Sequence, residues 1–278
     1  MFILSAMSAF ACDVVGMVGC SAENLLLAAH AAGLKGRLSY DADASCVRID
    51  FEETTPLRSS LFEAIPKRRC SRTAYDGTLL SGEQLRLLEQ AGRGDGVSIL
   101  LVTDSGQKEK IIEYVAQGNN AQFGDPEWAA EMRRWIRFNA RSARRTGDGL
   151  YGAILGIPEM PGWLGKMMMG MAASAKSQNR KDEKHIRSSA AIAVLFSERD
   201  DKRHWIEAGR CFERLALQAT AIDLRTVFIN QPVEVAALRP RFAHFLGIGN
   251  RRADLVVRIG RGPEMARSYR RPVEQVLV

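Results

Sequence analysis

Cysteine and histidine are scarce in this sequence and show no metal or disulfide pattern. The five cysteines, Cys12, Cys20, Cys46, Cys70 and Cys211, are odd in number and include no C-x-x-C pair. The four histidines share no metal-ligand spacing, and we expect only His30 to pack against its helix. A disulfide framework or a zinc site is therefore not expected. We predict free thiols, no metal site and a cytoplasmic location.

Long apolar runs are also missing. A membrane helix needs about 20 mainly apolar residues, whereas the run WLGKMMMGMAASA is shorter and is interrupted by Lys166. The N-terminal segment MFILSAMSAFACDVVGMVGC ends in small residues before Cys20, a weak feature of lipoprotein signals. It lacks a basic n-region and contains Asp13. We expect neither export nor a membrane partner.

Negative charge is in deficit, so the chain carries a net positive charge. Lys and Arg number 39 against 32 Asp and Glu, a formal charge of +7. This surplus indicates an anionic partner, which could be nucleic acid, a membrane surface or a phosphate-bearing small molecule. The basic residues are interleaved with carboxylates, whereas nucleic acid needs a continuous basic face. We therefore predict a local phosphate pocket and no nucleic-acid partner.

The pattern along the chain predicts a mixed α+β protein. With 278 residues, 46% of them hydrophobic, the chain can bury a substantial core. Helical periodicity predicts helices at 21–32, 59–67, 81–91, 107–117 and 200–221. Strands are predicted at 36–40, 46–51, 97–103, 190–197 and 254–260. Their order lacks the β-α-β rhythm of a doubly wound fold.

A segment rich in glycine, proline and methionine interrupts this order. It reads DGLYGAILGIPEMPGWLGKMMMGM and is followed by the polar KSQNRKDEKH. Such composition is typical of an excursion from the regular fold, and we predict a lid insertion at about 118–185. The methionines Met167, Met168, Met169 and Met171 could line a pocket or pack beneath the lid.

Two parts of the chain resemble each other. Residues 19–34, GCSAENLLLAAHAAGL, match residues 209–224, GRCFERLALQATAIDL, at seven of sixteen positions without a gap. The match either reflects two Ala- and Leu-rich helices or a duplicated unit. With duplication, 1–58 is a partial first half that lacks its beginning, and 59–278 is the second half.

Two basic clusters are candidates for phosphate binding. The first, PKRRCSRTAYDG, contains Arg68, Arg69 and Arg72, and the second, RSYRRP, contains Arg270 and Arg271. Guanidinium groups on a short bent segment suit phosphate oxygens. A solvated helix end would have the same composition. If the two clusters converge, they form a clamp for one phosphate group.

These segments are similar to those of the nitroreductase family of flavoproteins. RRCSRTAYDGTLLSGEQLRLLEQAG resembles the family's phosphate-binding opening, RSYRRPVEQVL its C-terminal phosphate segment, and WIEAGRCFERLALQATAIDLRTVFINQPVE its central interface helix. The mycobacterial Acg-like branch, in which two halves are fused, is the nearer resemblance, and DPEWAAEMRRWIRF and DGLYGAILG resemble its lid. The resemblance implies a central, mainly antiparallel sheet flanked by helices.

The resemblance also implies site residues. Arg68, Arg69, Cys70 and Arg72 fall on the first phosphate motif, Arg270 and Arg271 on the second, and Gln231 on a loop near the flavin ring. Cys70 replaces the usual Ser or Thr, which exchanges a hydroxyl donor for a weaker thiol. A ring-binding segment of the type proline-serine, asparagine-x-glutamine-proline-tryptophan is missing, as expected of a member shortened at its N-terminus.

The resemblance implies an FMN-dependent oxidoreductase that passes a hydride from NAD(P)H to a nitroaromatic or quinone-like acceptor. The flavin performs such chemistry, so no catalytic side chain is expected. The alternative is a non-catalytic protein that sequesters FMN beneath its lid. The expected assembly is a monomer with a pseudo-dimeric fold or a homodimer.

Overall fold

Helices and strands alternate along residues 10–172 and 174–275, which are the residues that this computed structural model describes. The helices are α1 Phe10–Ala31, α2 Ser60–Ala64, α3 Gly82–Ala91, α4 Ser105–Gly124, α5 Pro126–Trp135, α6 Ala140–Thr146, α7 Gly162–Ala172, α8 Ala175–Arg187, α9 Lys202–Ala221, α10 Gln231–Glu234 and α11 Arg239–Phe245. The strands are β1 Leu34–Asp41, β2 Cys46–Glu53, β3 Val97–Val102, β4 Ile136–Arg137, β5 Leu150–Tyr151, β6 Ala191–Ser197, β7 Arg225–Phe228 and β8 Arg252–Gly260.

Four strands form the central sheet. Their order is β3-β6-β8-β7, and each neighbouring pair is antiparallel. All seven residues of β6 are buried, which explains why this strand is apolar except for Ser197, since both faces of the sheet are covered. The α+β prediction with a mainly antiparallel central sheet is therefore confirmed.

The side chains of β6 divide the core into two layers. Ala193 and Leu195 pack with α3 and α9 on one face of the sheet. Ile192 and Val194 pack with α4, α8, α10 and α11 on the other. Ile192 and Leu195 are fully buried, and each contributes roughly 1.5–3 kcal/mol relative to an exposed side chain.

Local sequence signals set several element ends. The Ser81 hydroxyl accepts a hydrogen bond from the Gln84 backbone (3.1 Å), and the Gln84 side chain accepts one from the Ser81 backbone (3.0 Å). This arrangement is a capping box, and it begins the helix predicted at 81–91. Asp125 and Pro126 begin α5, and Gly33, at φ +85°, ends the turn after α1 in the left-handed region that glycine tolerates.

The N-terminal helix packs along α9. At the crossing, a Cβ atom on Gly19 would overlap the Ile206 carbonyl, and one on Gly209 would overlap the Gly16 carbonyl. The two backbones approach this closely because these glycines have no side chain. Below α1 lies the antiparallel β1–β2 hairpin, which begins with the Leu34 to Glu53 pair.

The contacts between these two helices are reciprocal when the matched segments are compared. Asn24 donates a hydrogen bond to the Glu213 carboxylate at 3.0 Å, and Arg214 donates to the Glu23 carboxylate at 3.0 Å. Asn24 is matched with Arg214, and Glu23 with Glu213, in the alignment of the repeat. Each member of one pair therefore has its counterpart in the other.

The segment from α5 to α8, residues 125–187, leaves the central fold between β3 and β6. It contains α5, α6, α7, α8 and the two-residue parallel pair β4 and β5. Helix α8 returns the chain to the sheet and packs against α4. No helix in the described ranges is long and apolar enough to span a membrane.

Candidate functional site

A cleft of about 500 Å³ lies beside β7 and the α5–α8 segment. One side of it is apolar and is formed by Phe123, Trp128, Met132, Ile136, Leu155, Ile157, Met169, Val227, Phe228 and Ile229. Most of these residues come from α5 and from the turns and helix that follow it. Aromatic and aliphatic side chains of this kind can hold a flat apolar ligand.

Three of the four methionines predicted to line a pocket or pack beneath the lid have described side chains, whereas the side chain of Met171 lies outside the described residues. Met169 lines the cleft, whereas Met167 and Met168 are 50% and 47% exposed. Trp128 of α5 lines the cleft with its ring 5.2 Å from that of Phe123. Helix α5 contains no buried residue, and its Trp128 and Met132 side chains form part of the cleft wall.

Arg258 is the most deeply buried charge at the cleft. It lies on β8, is only 2% exposed, and stacks over the Tyr75 ring at 4.3 Å. Its guanidinium donates to the backbone carbonyls of Ser71 (3.2 Å) and Thr73 (2.8 Å). Burial lowers the pKa of this guanidinium, but an arginine remains charged because its ordinary pKa exceeds 12. The buried Arg258 cation thus anchors the loop that carries the first basic cluster, PKRRCSRTAYDG, to the sheet.

Arg72 and Lys181 add two further cations to the cleft. Arg72 follows the anchored turn and lines the cleft, and it has no hydrogen-bond or ion-pair partner in the described part of the chain. Lys181 lies on α8, and its Nζ donates a long hydrogen bond to the Leu155 carbonyl at 3.4 Å. The cleft therefore carries the positive charges of Arg258, Arg72 and Lys181, and the Arg72 guanidinium is unpaired. This arrangement suits an anionic ligand.

Helix α8 also presents a buried carboxyl and an uncharged imidazole. Burial raises the pKa of Asp182, although Asn119 and Gln178 both donate hydrogen bonds to it. Burial, together with the neighbouring charges of Arg258 and Lys181, lowers the pKa of His185 to about 4. The imidazole is therefore neutral at pH 7, which reflects the positive potential of this side of the cleft.

An amide network joins α4, α8 and α10 beside these charges. Asn119, 1% exposed, accepts from the Gln231 side chain at 3.2 Å and donates to Asn179 at 2.9 Å. The Gln231 Oε1 atom is buried and has no partner. A buried acceptor without a partner is costly unless a ligand supplies a donor, so this atom is a candidate ligand contact.

Of the residues predicted for the site, Arg72 and Gln231 line the cleft. Arg68 lies instead at the α1–α9 contact, where its Nε is 3.3 Å from the Glu213 carboxylate. Arg69 binds the segment after β8, with an ion pair to Glu264 at 2.8 Å and a hydrogen bond to the Met265 carbonyl at 2.8 Å. These two arginines hold the loop rather than face the cleft.

Cys70 and the C-terminal arginines also lie outside the cleft lining. Cys70 forms a parallel backbone bridge with Thr226, which extends the sheet beyond β7. Arg270 is exposed, and the Arg271 side chain donates to the Gly147 carbonyl at the end of α6 (3.2 Å). The two basic clusters are therefore not brought together into one clamp, because the chain after β8 turns toward the α5–α8 segment.

Sequence reasoning missed several residues of the cleft. Arg258 could have been found, because it is a charge inside the apolar strand DLVVRIG, and a charge in a buried strand needs a specific partner. Asn119 and Asp182 carry no local signal, since they meet only when α4 packs on α8. His185 and His204 were expected to be exposed, but His185 is half-buried and His204 is only 8% exposed.

The fold is that of the nitroreductases. The chain superimposes on the structure of an FMN-dependent nitroreductase from Mycobacterium smegmatis in complex with NADPH, with a TM-score of 0.50 and 15% identity. The superposition covers 79% of this chain and 97% of that one. No protein-family model matches the sequence.

Two relatives that are similar in sequence carry nitroreductase names. Two proteins from Mycobacterium tuberculosis, of strains CDC 1551 and H37Rv, are each 27% identical over 213 residues. Both are named, provisionally, NAD(P)H nitroreductase. The match covers 73% of this chain and 56% of theirs, so the chain spans about half the length of these relatives. The chain is thus similar in sequence to two proteins with nitroreductase names and shares the nitroreductase fold.

Proposed function

We propose that this protein is an FMN-dependent oxidoreductase of the nitroreductase type. The observation that carries the proposal is the position of Arg72: an unpaired guanidinium, next to the buried Arg258, at the end of an apolar cleft. A flavin mononucleotide has the matching chemistry, since it joins a phosphate dianion to a flat, largely apolar ring system. The M. smegmatis structure with the same fold is named an FMN-dependent enzyme, which supports this choice.

The residues of the cleft fit this cofactor. Arg72, Arg258 and Lys181 would attract and hold the phosphate, because charge-assisted bonds to guanidinium groups are strong and directional. The unpartnered Gln231 Oε1 would accept a hydrogen bond from an N–H group at the polar edge of the ring. Trp128 and Phe228 would cover the apolar part. When bound, the flavin supplies the two-electron chemistry.

The chain's own residues position and enclose the reactants in this proposal. Leu155, Ile157 and Met169 form the side of the cleft that belongs to the α5–α8 segment, and they would exclude water from it. His185 remains neutral near pH 7, so it adds no charge to the cation cluster. We assign no side chain to bond breaking. The proposed donor is NAD(P)H, and the proposed acceptor is a nitroaromatic or quinone-like molecule.

The domain arrangement is part of the proposal. We infer that residues 1–58 are a partial first half and 59–278 a second half, with a lid at about 118–185. The reciprocal Asn24–Glu213 and Arg214–Glu23 contacts support a duplicated pair of helices. Because α1 already covers the interface side of α9, a pseudo-dimeric monomer is favoured over a homodimer. The start of the first predicted half, residues 1–9, lies outside the described residues.

A second function, sequestration of FMN without turnover, is favoured by one observation. The α5–α8 segment contributes much of the apolar wall, and Lys181 ties α8 to it through the Leu155 carbonyl. A ring held there could be shielded from an acceptor. For either function we propose a cytoplasmic location, consistent with free thiols at Cys20, Cys46, Cys70 and Cys211.

FMN titration followed by turnover assays separates these functions. The protein is titrated with FMN while flavin fluorescence is recorded, and the complex is then mixed with NADH or NADPH and a nitroaromatic or a quinone. We expect saturable FMN binding and acceptor-dependent oxidation of the nicotinamide. Saturable binding without turnover favours sequestration, and no binding refutes both functions.

The matched variants are Arg72→Glu and Arg86→Glu. Arg86 is exposed on α3 and lies outside the cleft, so its reversal changes net charge equally. Arg72→Glu should weaken FMN binding at least tenfold, which is about 1.4 kcal/mol. Arg86→Glu should change it less than twofold. Equal effects of the two variants would contradict a specific phosphate contact.

A further inference from the structure

Arginines at the end of α6 and arginines of the C-terminal segment, distant in sequence, lie close together on the α5–α8 segment. Arg144 lies over the Tyr269 ring at 4.7 Å, and the Tyr151 ring is 5.2 Å from the same tyrosine. Arg271 donates to the Gly147 carbonyl at 3.2 Å. The C-terminal segment is thereby laid against the end of α6. The C-terminal arginines, which do not line the cleft, therefore lie beside the end of α6.

The arginines of this patch are exposed. All four are exposed to solvent: Arg144 and Arg145 at the end of α6, and Arg270 and Arg271 in the C-terminal segment. The nearby carboxylate of Asp148 is committed to Arg137 at 2.7 Å. The same carboxylate also interacts electrostatically with Arg271, which helps to lower the pKa of Asp148, so the positive charge of the four arginines is compensated only in part.

An exposed apolar helix face lies in the same segment of the chain. On α7, Trp163 is 70% exposed, Met167 50% and Met168 47%, and Lys166 is exposed between them. The start of α7 is joined to the start of α6, because Asn139 donates to the Met160 carbonyl at 3.1 Å. Since α6 has seven residues, its terminal arginines are about 10 Å along the helix from this junction.

Net charge is concentrated in the same part of the chain. The α5–α8 segment, residues 125–187, contains twelve Lys and Arg and seven Asp and Glu. Its net charge of +5 is most of the +7 of the whole chain. A basic surface with an exposed tryptophan and methionines at its edge is complementary to the headgroup region of an anionic membrane.

We propose that this outer face, formed by Arg144, Arg145, Trp163, Met167, Met168, Arg270 and Arg271, docks on an anionic lipid surface. The arginines supply attraction to the headgroups, and Trp163 and Met167 enter the interface, where an indole ring is favoured. Such binding is peripheral and needs no spanning helix. It therefore departs from the sequence expectation of no membrane partner, which rested on the lack of a long apolar run. It does not depend on the proposed flavin chemistry, because none of these seven residues lines the cleft.

The apolar part of the face distinguishes lipid from nucleic acid. A nucleic-acid site would use the arginines for phosphates and would place aromatic rings against bases. The Tyr269 ring already contacts Arg144 and the Tyr151 ring. Trp163, Met167 and Met168, in contrast, expose an indole ring and two thioether side chains to solvent. A lipid interface uses both parts of the face.

Vesicle co-sedimentation tests the proposal with the whole chain. Vesicles of phosphatidylcholine, with and without a third of phosphatidylglycerol, are compared at about 0.1 M and about 1 M salt, between which the Debye length falls from about 10 Å to about 3 Å. We expect at least tenfold tighter binding to the anionic vesicles at low salt, and loss of most of that preference at high salt. Equal partition to both vesicle types, or to neither, would overturn the proposal.

Paired variants locate the contact. Arg144→Glu/Arg145→Glu should reduce binding at least tenfold, while Arg37→Glu/Arg86→Glu, an equal charge change at exposed residues of β1 and α3, should reduce it less than threefold. Trp163→Ser should reduce binding at least threefold, and Leu79→Ser, at another exposed apolar residue, should not.

Two outcomes of this comparison would refute the face. One is an equal loss in the Arg37/Arg86 and Arg144/Arg145 variants, which would reduce the effect to net charge. The other is tight binding of a DNA oligonucleotide by a protein that fails to bind vesicles. Circular dichroism of each variant verifies that the fold is retained, and FMN binding by the same preparations reports separately on the cleft.

Discussion

The Arg68 guanidinium lies 3.3 Å from the Glu213 carboxylate, within the contact between the N-terminal helix and α9. Glu213 is only 3% exposed and also accepts a hydrogen bond from Asn24. Further ion pairs at the same contact join Arg210 and Arg214 to Glu23 at 2.9 and 3.0 Å. The basic loop that carries Arg72 is thus tied at its start to the interface of the two matched helices.

Truncation of Glu213 should therefore destabilise the protein strongly. Glu213→Ala leaves the partly buried Arg68 and Asn24 without their acceptor, and loss of one member of a buried pair costs about 3–5 kcal/mol. Urea unfolding followed by circular dichroism measures the change. The control is Glu53→Ala on exposed β2, for which we expect about 0.5 kcal/mol or less. Similar values for the two variants would mean that the network adds little.

The close approach of the two helices predicts a second large effect. In Gly209→Ala the new methyl group overlaps the Gly16 backbone carbonyl, so α1 must move away from α9. Overpacking of this kind costs about 1–3 kcal/mol, and we expect the upper part of that range because backbone atoms cannot rotate aside. Gly82→Ala is the control, since a methyl group there meets no atom within 4 Å. If both substitutions have the same unfolding midpoint in urea, the tight helix contact is refuted.

The elements that the sequence predicted well are those set by local chemistry. The helix predicted at 81–91, which begins with the Ser81–Gln84 capping box, and the strand predicted at 190–197 both occur in the structure. They depend on neighbours within a few residues or on uniform burial. Strand β7 was not predicted, because its four residues are too few to show an alternation. Its place at the sheet edge is set by pairing with the distant β8.

The site was harder to predict because it depends on long-range packing. Of the predicted site residues, Arg72 and Gln231 line the cleft, whereas Arg68 and Arg69 have acidic partners more than a hundred residues away in sequence. A motif gives residue type and spacing, but it does not show which carboxylate will compete for each guanidinium.

The electrostatic influence of Arg258 on His185 gives a third prediction. Arg258 is one of the charges that lower the His185 pKa, after burial itself. Arg258→Gln removes that charge and should raise the pKa of His185 by roughly one unit from about 4. Titration of the imidazole resonances by NMR measures this directly. Arg86→Gln, at an exposed residue of α3, should leave the value unchanged. An unchanged value in both variants would assign the low pKa to burial and to the charges of Lys181 and Lys184.

The same imidazole predicts how stability changes with pH. Because the folded-state pKa of His185 is about 4 and that of an unfolded histidine is about 6.5, the unfolded chain binds more protons between these values. The free energy of unfolding should therefore fall as the pH is lowered from about 6.5 to about 4, and this contribution is fully present above pH 6.5. His185→Gln cannot take up the proton and should lose about 1–2 kcal/mol less than the parent over that interval, allowing for partial exposure of the ring. Urea unfolding of both proteins at pH 4.5 and pH 7.5 tests this, with His244→Gln, at an exposed histidine, as the control; equal pH dependence in the parent and His185→Gln would show that His185 titrates as in the unfolded chain.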